Sequence, residues 1–381
     1  MTGHYRPMLP LARALVEAGH DVAFASGEPI ASEAEADGFR AFRAGLDSGA
    51  LEPLARSVRS LAASLPPARV RSFVFTHLFV KVELEPRAND LITIVDRWSP
   101  HLAVHDIADF AAPLVATLAG IPYVGHSFGP AVQTDVMHAA GQAAAPSWVS
   151  RGLEPHPLGG LYRYLYLDVC PPSLQAPEAL LGETQCIRTV DTSQPATRQP
   201  PWLVALRGLP IVYVTLGTVY NRNLDVFRTL LDALSTGSQH VVVTIGKQMD
   251  PAALGPQPSN VHVHRYIPQE VLLPHCVAAV THGGAGSTLG ALGFGLPLVL
   301  VPMGADQFYN AERVVAAGAG IQLMPDLLTV ASARAAVRTL LHEDAYRNAA
   351  HRIENELDAM PDPGQAVEAL ERLARREPGP R

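Results

Sequence analysis

The sequence has few cysteines, no long apolar run and no excess of basic residues, and each of these absences excludes a class of protein. Its three cysteines, Cys170, Cys186 and Cys276, lie far apart, so their spacing predicts neither a disulfide framework nor a zinc site and suits a reducing cytoplasm. No stretch approaches the ~18 consecutive apolar residues of a membrane-spanning helix, and no signal-peptide core is present. A formal net charge of −7 leaves no electrostatic footprint for nucleic acid. We therefore expect a cytoplasmic protein that binds no nucleic acid and spans no membrane.

Hydrophobic residues, by contrast, are plentiful and make up 48% of the 381 residues. At roughly 100–200 residues per domain, this length predicts two domains with separate cores. The polar, proline-rich residues 191–202 (DTSQPATRQPPW) are the best linker candidate. They separate an N-terminal domain at 1–190 from a C-terminal domain at 203–360. Residues 361–381 are expected to form a helix and tail that can pack back on the first domain.

Strands and helices alternate in the N-terminal half, which is typical of an α/β domain. Apolar runs at 21–26, 101–105 and 122–125 predict strands, and residues 110–119 predict a helix. Two longer stretches, 44–68 and 127–165, are less regular, and we expect them to be functional loops.

The first predicted helix, over residues 11–19, has no strand before it. A helix that runs into a parallel strand is the second half of a crossover, and a crossover normally starts from a preceding strand. We therefore expect the first strand of the N-terminal sheet to be missing. Either the polypeptide begins upstream of the printed sequence, or the sheet is built without this strand.

The C-terminal half shows a clearer α/β rhythm. Short valine-rich runs of the kind found in buried parallel strands occur at 211–216, 240–245, 261–265, 277–281 and 298–302. Helical segments fill the gaps between them. Because open parallel sheets bind ligands at the C-terminal ends of their strands, we expect the functional residues to follow these runs.

A glycine-rich segment, THGGAGSTLGALGFGLP at 281–297, follows the fourth of these runs. The strand is expected to end at Thr281 and a helix to begin near Ser287, so backbone N–H groups and the helix N-terminus would face an anion. His282 could donate a further hydrogen bond. A dinucleotide fingerprint fails because Leu289 stands where it needs glycine or alanine, and there is no Walker A motif. The segment predicts a phosphate site of another kind, and a plain strand–helix turn that needs small residues is the alternative.

Asp306 and Gln307 follow the next strand. A carboxylate only accepts hydrogen bonds, whereas a carboxamide both donates and accepts, so the pair suits several sugar hydroxyls. The alternative is an ordinary aspartate at the start of a helix.

These segments belong to a longer series of motifs that resembles family 1 glycosyltransferases, and the resemblance covers nearly the whole chain. The C-terminal half carries Tyr266-Ile-Pro-Gln269, Leu273-Pro-His275, His282-Gly-Gly-x-Gly-Ser287, Gly295-x-Pro297, Asp306-Gln307 and Asn310-Ala311. The N-terminal half carries Gly3-His4-x-x-Pro7, Ala18-Gly-His-Asp-Val22 and Asp106. The branch that glycosylates macrolides and enediynes in actinobacteria is indicated by Pro171-Pro-Ser-Leu-Gln175 and Val214-Thr-Leu-Gly-Thr218.

The resemblance implies a GT-B fold, in which two Rossmann-like domains face each other across a cleft. The N-terminal domain would bind a hydrophobic aglycone acceptor, and the C-terminal domain would bind the donor, a dTDP-sugar or UDP-sugar. The implied activity is that of a hexosyltransferase in antibiotic biosynthesis, working in the cytoplasm, with a homodimer as a possible assembly. No cofactor beyond the donor substrate is implied.

The family's functional residues map onto this sequence by motif. Tyr266 is expected to stack on the nucleobase, with Gln269 beside it. The diphosphate would be held by residues of two loops, Thr218, His282, Gly283, Gly284, Gly286 and Ser287. Asp306 and Gln307 would hold the transferred sugar. His4 matches the general base and Asp106 its orienting carboxylate. One departure is Gly290, which stands where many relatives carry a glutamate that contacts the ribose.

The chemistry agrees with these roles. A histidine of near-neutral pKa can remove the acceptor proton, and an aspartate bonded to its other nitrogen fixes the tautomer. Hydrogen-bond donors at the helix N-terminus can stabilise the departing diphosphate. There is no Asp-x-Asp pair to hold a divalent cation, and His262 and His264 have no third ligand at a suitable spacing. We therefore predict an inverting single displacement without a metal site.

Three alternatives remain open at this point. The chain could be a catalytically silent homologue that binds nucleotide sugars or assists a partner transferase. It could also be a sugar-nucleotide 2-epimerase, which would not need the pair of His4 and Asp106. If it is a transferase, His105 could serve as the base in place of His4.

Overall fold

The computed structural model describes residues 2–176, 182–190, 200–206, 208–217 and 223–375. These residues form two compact units. The first comprises Met1–Val169, Ala176–Thr189 and Pro361–Arg381, as far as they are described, and the second comprises Cys170–Gln175 and Val190–Met360. No helix within the described ranges is long and apolar enough to cross a bilayer. Most of the predicted linker, 191–199, lies outside the described residues.

The first unit contains two parallel sheets rather than one. The smaller sheet pairs β1 (Ala23–Ser26) with β2 (Arg40–Arg43). The larger sheet has the order β3-β4-β5-β6 and comprises β3 (Ala103–Asp106), β4 (Tyr123–His126), β5 (Leu165–Asp168) and β6 (Thr184–Cys186). Among the described residues, no strand precedes β1.

Arg87 links the two sheets. The guanidinium of Arg87 donates to the backbone oxygen of Ala25 in β1 at 2.8 Å and to the carboxylate of Asp109, after β3, at 2.8 Å. Because charge-assisted bonds of this kind need both partners in place, Arg87 fixes the end of β1 relative to the end of β3.

The helices of the first unit pack against these sheets. They are α1 (Thr2–Tyr5), α2 (Leu9–Glu17), α3 (Ile30–Ala36), α4 (Ser48–Ala62), α5 (Pro67–Phe75), a π-helix (Thr76–Val82), α6 (Leu84–Trp98), α7 (Ala111–Ala119) and α8 (Thr134–Val149). Short 3₁₀ turns are found at Arg6–Met8 and Pro157–Gly160.

The prediction that 44–68 and 127–165 are irregular loops was wrong, because each contains a long helix. Helix α4 begins at a side-chain cap, where Asp47 accepts from the N–H of Ala50 at 2.8 Å. Helix α8 buries a row of mostly small residues, including Ala140 and Ala144, and the fully buried Trp148. Their apolar faces use alanine in place of larger side chains and their interiors contain proline, so the hydrophobic periodicity was weak in the sequence.

The second unit has one six-stranded parallel sheet of order β12-β11-β10-β7-β8-β9. Its strands are β7 (Ile211–Thr215), β8 (His240–Thr244), β9 (Val261–His264), β10 (Cys276–Thr281), β11 (Leu298–Leu300) and β12 (Gly320–Gln322). The five strands expected from the valine-rich runs are confirmed. The three-residue strand β12 was missed because it lacks such a run.

Helices cover both faces of this sheet. They are α9 (Pro201–Ala205), α10 (Leu224–Leu234), α11 (Gln269–Leu272), α12 (Ala285–Leu292), α13 (Gln307–Ala316), α14 (Val330–His342) and α15 (Asp344–Asp358), with 3₁₀ turns at Pro172–Leu174, Pro251–Leu254, Leu273–His275 and Pro325–Leu327. The chain then returns to the first unit, where α16 (Pro363–Ala374) packs on α2.

The strand order of the second unit places its ligand site. Strands β7 and β10 are neighbours, and the chain builds outward from β7 through β8 and β9 but from β10 through β11 and β12. Where the order reverses, the loops after two adjacent strands diverge and leave a crevice at their C-terminal ends. The loops in question follow Thr215 and Thr281.

Candidate active site

The imidazole of His282 occupies the crevice between the loops after β7 and β10. The ring lies between two glycines. A Cβ added to Gly217 would lie 2.5 Å from the ring, and a Cβ added to Gly284 would lie 2.4 Å from Nε2 of the ring. Real Cβ atoms essentially never approach other atoms so closely. The two glycines therefore create the space that the ring fills.

The surroundings of His282 keep it neutral and place a hydroxyl next to one ring nitrogen. Burial lowers its pKa to about 4, and the nearby charge of Asp306 opposes this shift only in part. The hydroxyl of Thr281 lies 3.2 Å from Nδ1 and accepts from the N–H of Gly283 at 3.4 Å. When this hydroxyl donates to Nδ1, the single ring proton is on Nε2. His282 can therefore act as a hydrogen-bond donor at neutral pH.

The helix after this turn begins at Ala285, two residues before the expected start near Ser287. Gly284 is the N-cap residue, with φ −63° and ψ 140°, and no side chain caps the helix. The backbone N–H groups of residues 285–287 therefore donate no hydrogen bond to a capping side chain, and Gly286, in the middle of this segment, is exposed. Such amides and the helix dipole favour an anion. The other expected phosphate ligand, Thr218, lies outside the described residues.

Asp306 and Gln307 form a hydrogen-bonded turn next to the glycine-rich loop. Asn310 joins the two segments, since its Nδ2 donates to the backbone oxygen of Gly283 at 2.9 Å and to Asp306 Oδ2 at 2.7 Å. Gln307 is buried, and its Oε1 accepts from the N–H groups of Met303 at 2.8 Å and of Gly304 at 3.1 Å. Its Nε2 is therefore the part of the side chain that a ligand could use.

This turn is also strained, which is common at functional sites. Ala305 has a left-handed backbone with φ 54°, a conformation that costs a residue with a Cβ of the order of 1 kcal/mol.

Helix α13 starts at Gln307, earlier than the expected start near Asn310. The sequence did place Asp306 and Gln307 correctly at the C-terminal end of a strand, but it gave no sign of the role of Asn310 as a bridge.

The expected nucleobase site lies after β9. Tyr266 is 52% exposed, and the ammonium group of Lys247 lies 4.7 Å from the centre of its ring. Because a cation on a ring face is held by the ring quadrupole, Lys247 covers part of this aromatic surface. Lys247 follows β8, and sequence reasoning missed it because no motif contains it.

At Gly290, where many relatives carry a glutamate, the structure leaves no room for a larger side chain. An added Cβ at Gly290 would lie 2.4 Å from Oε1 of Gln269, so the carboxamide of Gln269 occupies the space next to this position. A glutamate at 290 could not coexist with Gln269 in its present rotamer. Gln269 is therefore the polar side chain next to the position where many relatives carry the glutamate.

In the first unit, the structure brings together the two residues expected to act as base and orienting acid. His4 Nδ1 lies 3.0 Å from Asp106 Oδ2, and both side chains are 20% exposed. Oδ1 of Asp106 accepts from the N–H of Ala108 at 2.8 Å. Burial acts to raise the pKa of Asp106, but the charge and hydrogen bond of His4 outweigh this, so the pKa is lowered. Asp106 therefore stays ionised and orients His4.

His105, the alternative base, is placed differently. It is 2% exposed, its Nδ1 bonds the backbone oxygen of Asp106 at 2.9 Å, and burial lowers its pKa. A side chain this buried cannot reach a substrate hydroxyl, so the structure favours His4.

Aromatic rings surround His4, and no sequence motif indicated them. The imidazole centroid lies 4.0 Å from the ring centre of Phe128 and 6.3 Å from that of Phe79. Phe79 belongs to the π-helix, a type of helix often found at functional sites. A ligand that reaches His4 therefore meets an apolar wall, as a hydrophobic acceptor requires.

Of the two histidines on β9, His262 contacts a histidine of the neighbouring strand. Nε2 of His262 lies 3.3 Å from Nδ1 of His240 on the neighbouring strand. In the described ranges, no group of three or more His, Cys, Asp or Glu side chains is arranged to hold a metal ion.

Comparison with known protein families gives matches over most of the chain. Residues 13–217 match the family "Erythromycin biosynthesis protein CIII-like, N-terminal domain", and residues 228–373 match the C-terminal domain of the same family.

Similar proteins of known name match along almost their whole length. L-demethylnoviosyl transferase of Streptomyces niveus is 34% identical over 373 residues, which cover 97% of this chain and 94% of that relative. Tylactone mycaminosyltransferase of Streptomyces fradiae is 28% identical, with coverage of 97% and 90%. Among solved structures, glycosyltransferase VinC in complex with DTDP has a TM-score of 0.79 at 25% identity and covers 98% of this chain and 97% of that chain.

Proposed function

The chain belongs to the erythromycin biosynthesis protein CIII-like family, within the actinobacterial natural-product branch of the family 1 glycosyltransferases, and we propose that it is an inverting, metal-independent enzyme that uses a nucleoside-diphosphate sugar. Its fold is GT-B, and transfer of a sugar to a natural-product aglycone follows from its relatives. The donor class, the stereochemistry and the independence from metal are the proposed parts.

The observation that carries the reaction mechanism is the 3.0 Å contact between His4 Nδ1 and Asp106 Oδ2. With Nδ1–H donating to the aspartate, Nε2 carries the lone pair and is the basic atom. Nε2 accepts the proton of the acceptor hydroxyl while its oxygen attacks C1 of the donor sugar. Asp106 stabilises the imidazolium that forms. General base catalysis of this kind contributes about 10²–10⁴-fold.

Departure of the nucleoside diphosphate completes a single displacement. The bond between C1 and the diphosphate oxygen breaks on the face opposite to the attack, so the anomeric configuration inverts. Both bonding electrons stay on the diphosphate, which gains negative charge. The neutral His282 and the uncapped amides of residues 285–287 are donors suited to that charge, and this supports a reaction without a metal.

We propose a dTDP-deoxysugar as the donor. VinC, which shares the fold, forms a complex with DTDP, and the two relatives named above are a demethylnoviosyl transferase and a mycaminosyltransferase. The absence of a carboxylate at Gly290 fits this donor, because deoxyribose has no 2′-hydroxyl for it to bind. A UDP-sugar is the alternative to be tested alongside.

The test is acceptor-dependent release of nucleoside diphosphate. The purified protein is supplied with dTDP- or UDP-sugars and a panel of apolar aglycones, with and without a chelator. We expect release that requires an acceptor, prefers dTDP donors and survives chelation, and an anomeric proton coupling that shows inversion. Loss of activity on chelation would refute metal independence, and retention of configuration would refute the single displacement.

The same assay separates the two alternatives. A 2-epimerase would interconvert donors without an acceptor, whereas a silent homologue would bind dTDP but release none from a donor. The assembled pair of His4 and Asp106 favours transfer, since neither alternative needs it.

A further inference from the structure

We infer that Phe128 is a positioning residue, which sets the plane of the His4 imidazole for proton transfer. This inference rests on the proposed function, in which His4 is the general base. It concerns a residue outside every sequence motif and gives Phe128 a role in turnover rather than in binding the donor.

One hydrogen bond does not fix an imidazole ring. The contact between His4 Nδ1 and Asp106 Oδ2 constrains one atom of the ring, but coupled changes of the two side-chain torsions can still tilt the ring plane about that contact. Such rotation swings Nε2 away from an acceptor hydroxyl. A base must lie within about 3 Å of the proton it removes, so a second contact is needed to define the plane.

Phe128 supplies this contact. Its ring centre lies 4.0 Å from that of His4, with 32° between the planes, close enough for one imidazole face to rest on the phenyl ring. The other neighbouring ring, Phe79, lies 6.3 Å away and constrains the imidazole less. Aromatic pairs of this kind contribute about 0.5–1.5 kcal/mol beyond their buried area.

Phe128 is itself held by a rigid anchor, which is what a positioning role requires. The preceding residue, Ser127, is buried, and its N–H donates to the backbone oxygen of Leu167 at 2.9 Å. Its hydroxyl accepts from the N–H of Val169 at 2.8 Å and lies 3.3 Å from Asp168 Oδ1. The loop after β4 is thus tied to the end of β5.

The sheet register brings this anchor to the catalytic pair. His126, the last residue of β4, is the register partner of Asp106, the last residue of β3. The loop that carries Phe128 and the carboxylate that binds His4 therefore leave adjacent strands at the same edge. His4 therefore contacts two elements of one parallel sheet, one through a hydrogen bond and one through a tilted ring contact.

The experiment is a double-mutant cycle on turnover. Phe128→Leu should lower kcat roughly 5- to 20-fold, the loss expected from a misaligned base, while Kd for dTDP stays unchanged. If Phe128→Leu folds poorly, Phe128→Met replaces it in the experiment. This variant removes the ring but keeps much of the side-chain volume, and it should lower kcat to a similar extent. Phe128→Tyr should restore kcat. Phe42→Leu, an equally half-buried phenylalanine that packs edge-to-face on Trp98, is the matched control and should leave kcat unchanged.

The decisive comparison uses His4→Ala as the background. If Phe128 acts through His4, Phe128→Leu should cause no further loss of kcat in that background. An equal loss in both backgrounds, or no loss in either, would overturn the positioning role and leave the general base intact. Full turnover by His4→Ala itself would instead refute the proposed base, and with it the inference.

Discussion

Substitution of Gly284 by alanine provides a sharp test of the donor site, because it acts on His282 without altering it. Gly284 has φ −63° and ψ 140°, a backbone that alanine adopts without strain. The added Cβ would, however, lie 2.4 Å from Nε2 of His282. The imidazole must therefore move out of the crevice between the loops after β7 and β10, while the helix amides stay in place.

The magnitude follows from the bond that is lost. A hydrogen bond to a charged group is worth about 1.5–3 kcal/mol, and about 1.4 kcal/mol changes an affinity tenfold. Displacement of Nε2–H from the diphosphate should therefore raise Kd for dTDP roughly 10- to 150-fold. Thymidine, which has no phosphate, should bind the variant as it binds the unchanged protein.

The assay is isothermal titration of dTDP and thymidine into the protein and three variants, Gly284→Ala, His282→Ala and the double variant. The two single variants should lose similar affinity, and the double variant should lose no more than either one, because both act on the same hydrogen bond. A His282→Ala variant that binds dTDP normally would show that His282 does not bind the diphosphate, and additive losses would show that Gly284→Ala does not act through His282.

Three further predictions concern the sugar, the ribose and the stability of the fold. Asp306→Ala should raise KM for the donor about tenfold with little change in KM for the acceptor, and unchanged donor kinetics would remove Asp306 from the sugar site. Gly290→Ala should displace the carboxamide of Gln269 and raise Kd for dTDP about 3- to 10-fold. An unchanged Kd would show that Gln269 does not bind the sugar ring of the nucleoside. Burial lowers the pKa of His126 to about 4 from 6.5, so the unfolded chain takes up more protons and stability falls as the pH drops below about 6.5. The loss is about 2 kcal/mol between pH 7 and 5. Thermal melts of His126→Gln should show a weaker decline over this interval, and an identical decline would contradict this assignment.

The second unit could be predicted well from the sequence because its strands are buried on both faces. Residues such as Val212, Val241 and Val280 are fully buried, and the resulting valine-rich runs stand out from the helices between them. The glycine-rich loop was also recognisable, since its anion site depends on backbone amides and small residues. The loop after β7 was assigned to the same site only through the resemblance, which placed Thr218 there. The contact between Gly217 and His282 was not foreseen, because it joins loops 65 positions apart.

The first unit was harder to predict. Helix α8 has Ala140 and Ala144 on its buried face, and such small side chains give little contrast in hydropathy. Strands β2 and β5 were missed although they are no shorter than β1, β3 and β4. The sequence of β2, RAFR, has exposed arginines at both ends, and β5 begins within the stretch that was interpreted as a loop. His4 and Asp106 were paired through their resemblance to a family motif and not through their spacing, since 102 positions separate them.

Two contacts could not be foreseen, because Phe128 lies outside every motif and the motif that contains Asn310 gave no sign of its bonds. The ring of Phe128 contacts that of His4 from a loop that Ser127 ties to the end of β5, and Asn310 links Asp306 to Gly283 across a turn. These contacts depend on strand order and loop geometry, which a single sequence does not specify.

The central claim is that His4 removes the acceptor proton while the nucleotide is held by a separate set of residues. The most direct test is the single-turnover rate of sugar transfer by His4→Ala at saturating donor and acceptor, measured beside its Kd for dTDP. The account predicts a rate about 10²–10⁴-fold lower with a Kd within a factor of about two of the unchanged protein. A transfer rate that survives the substitution, or a loss of rate explained by lost dTDP binding, would contradict it.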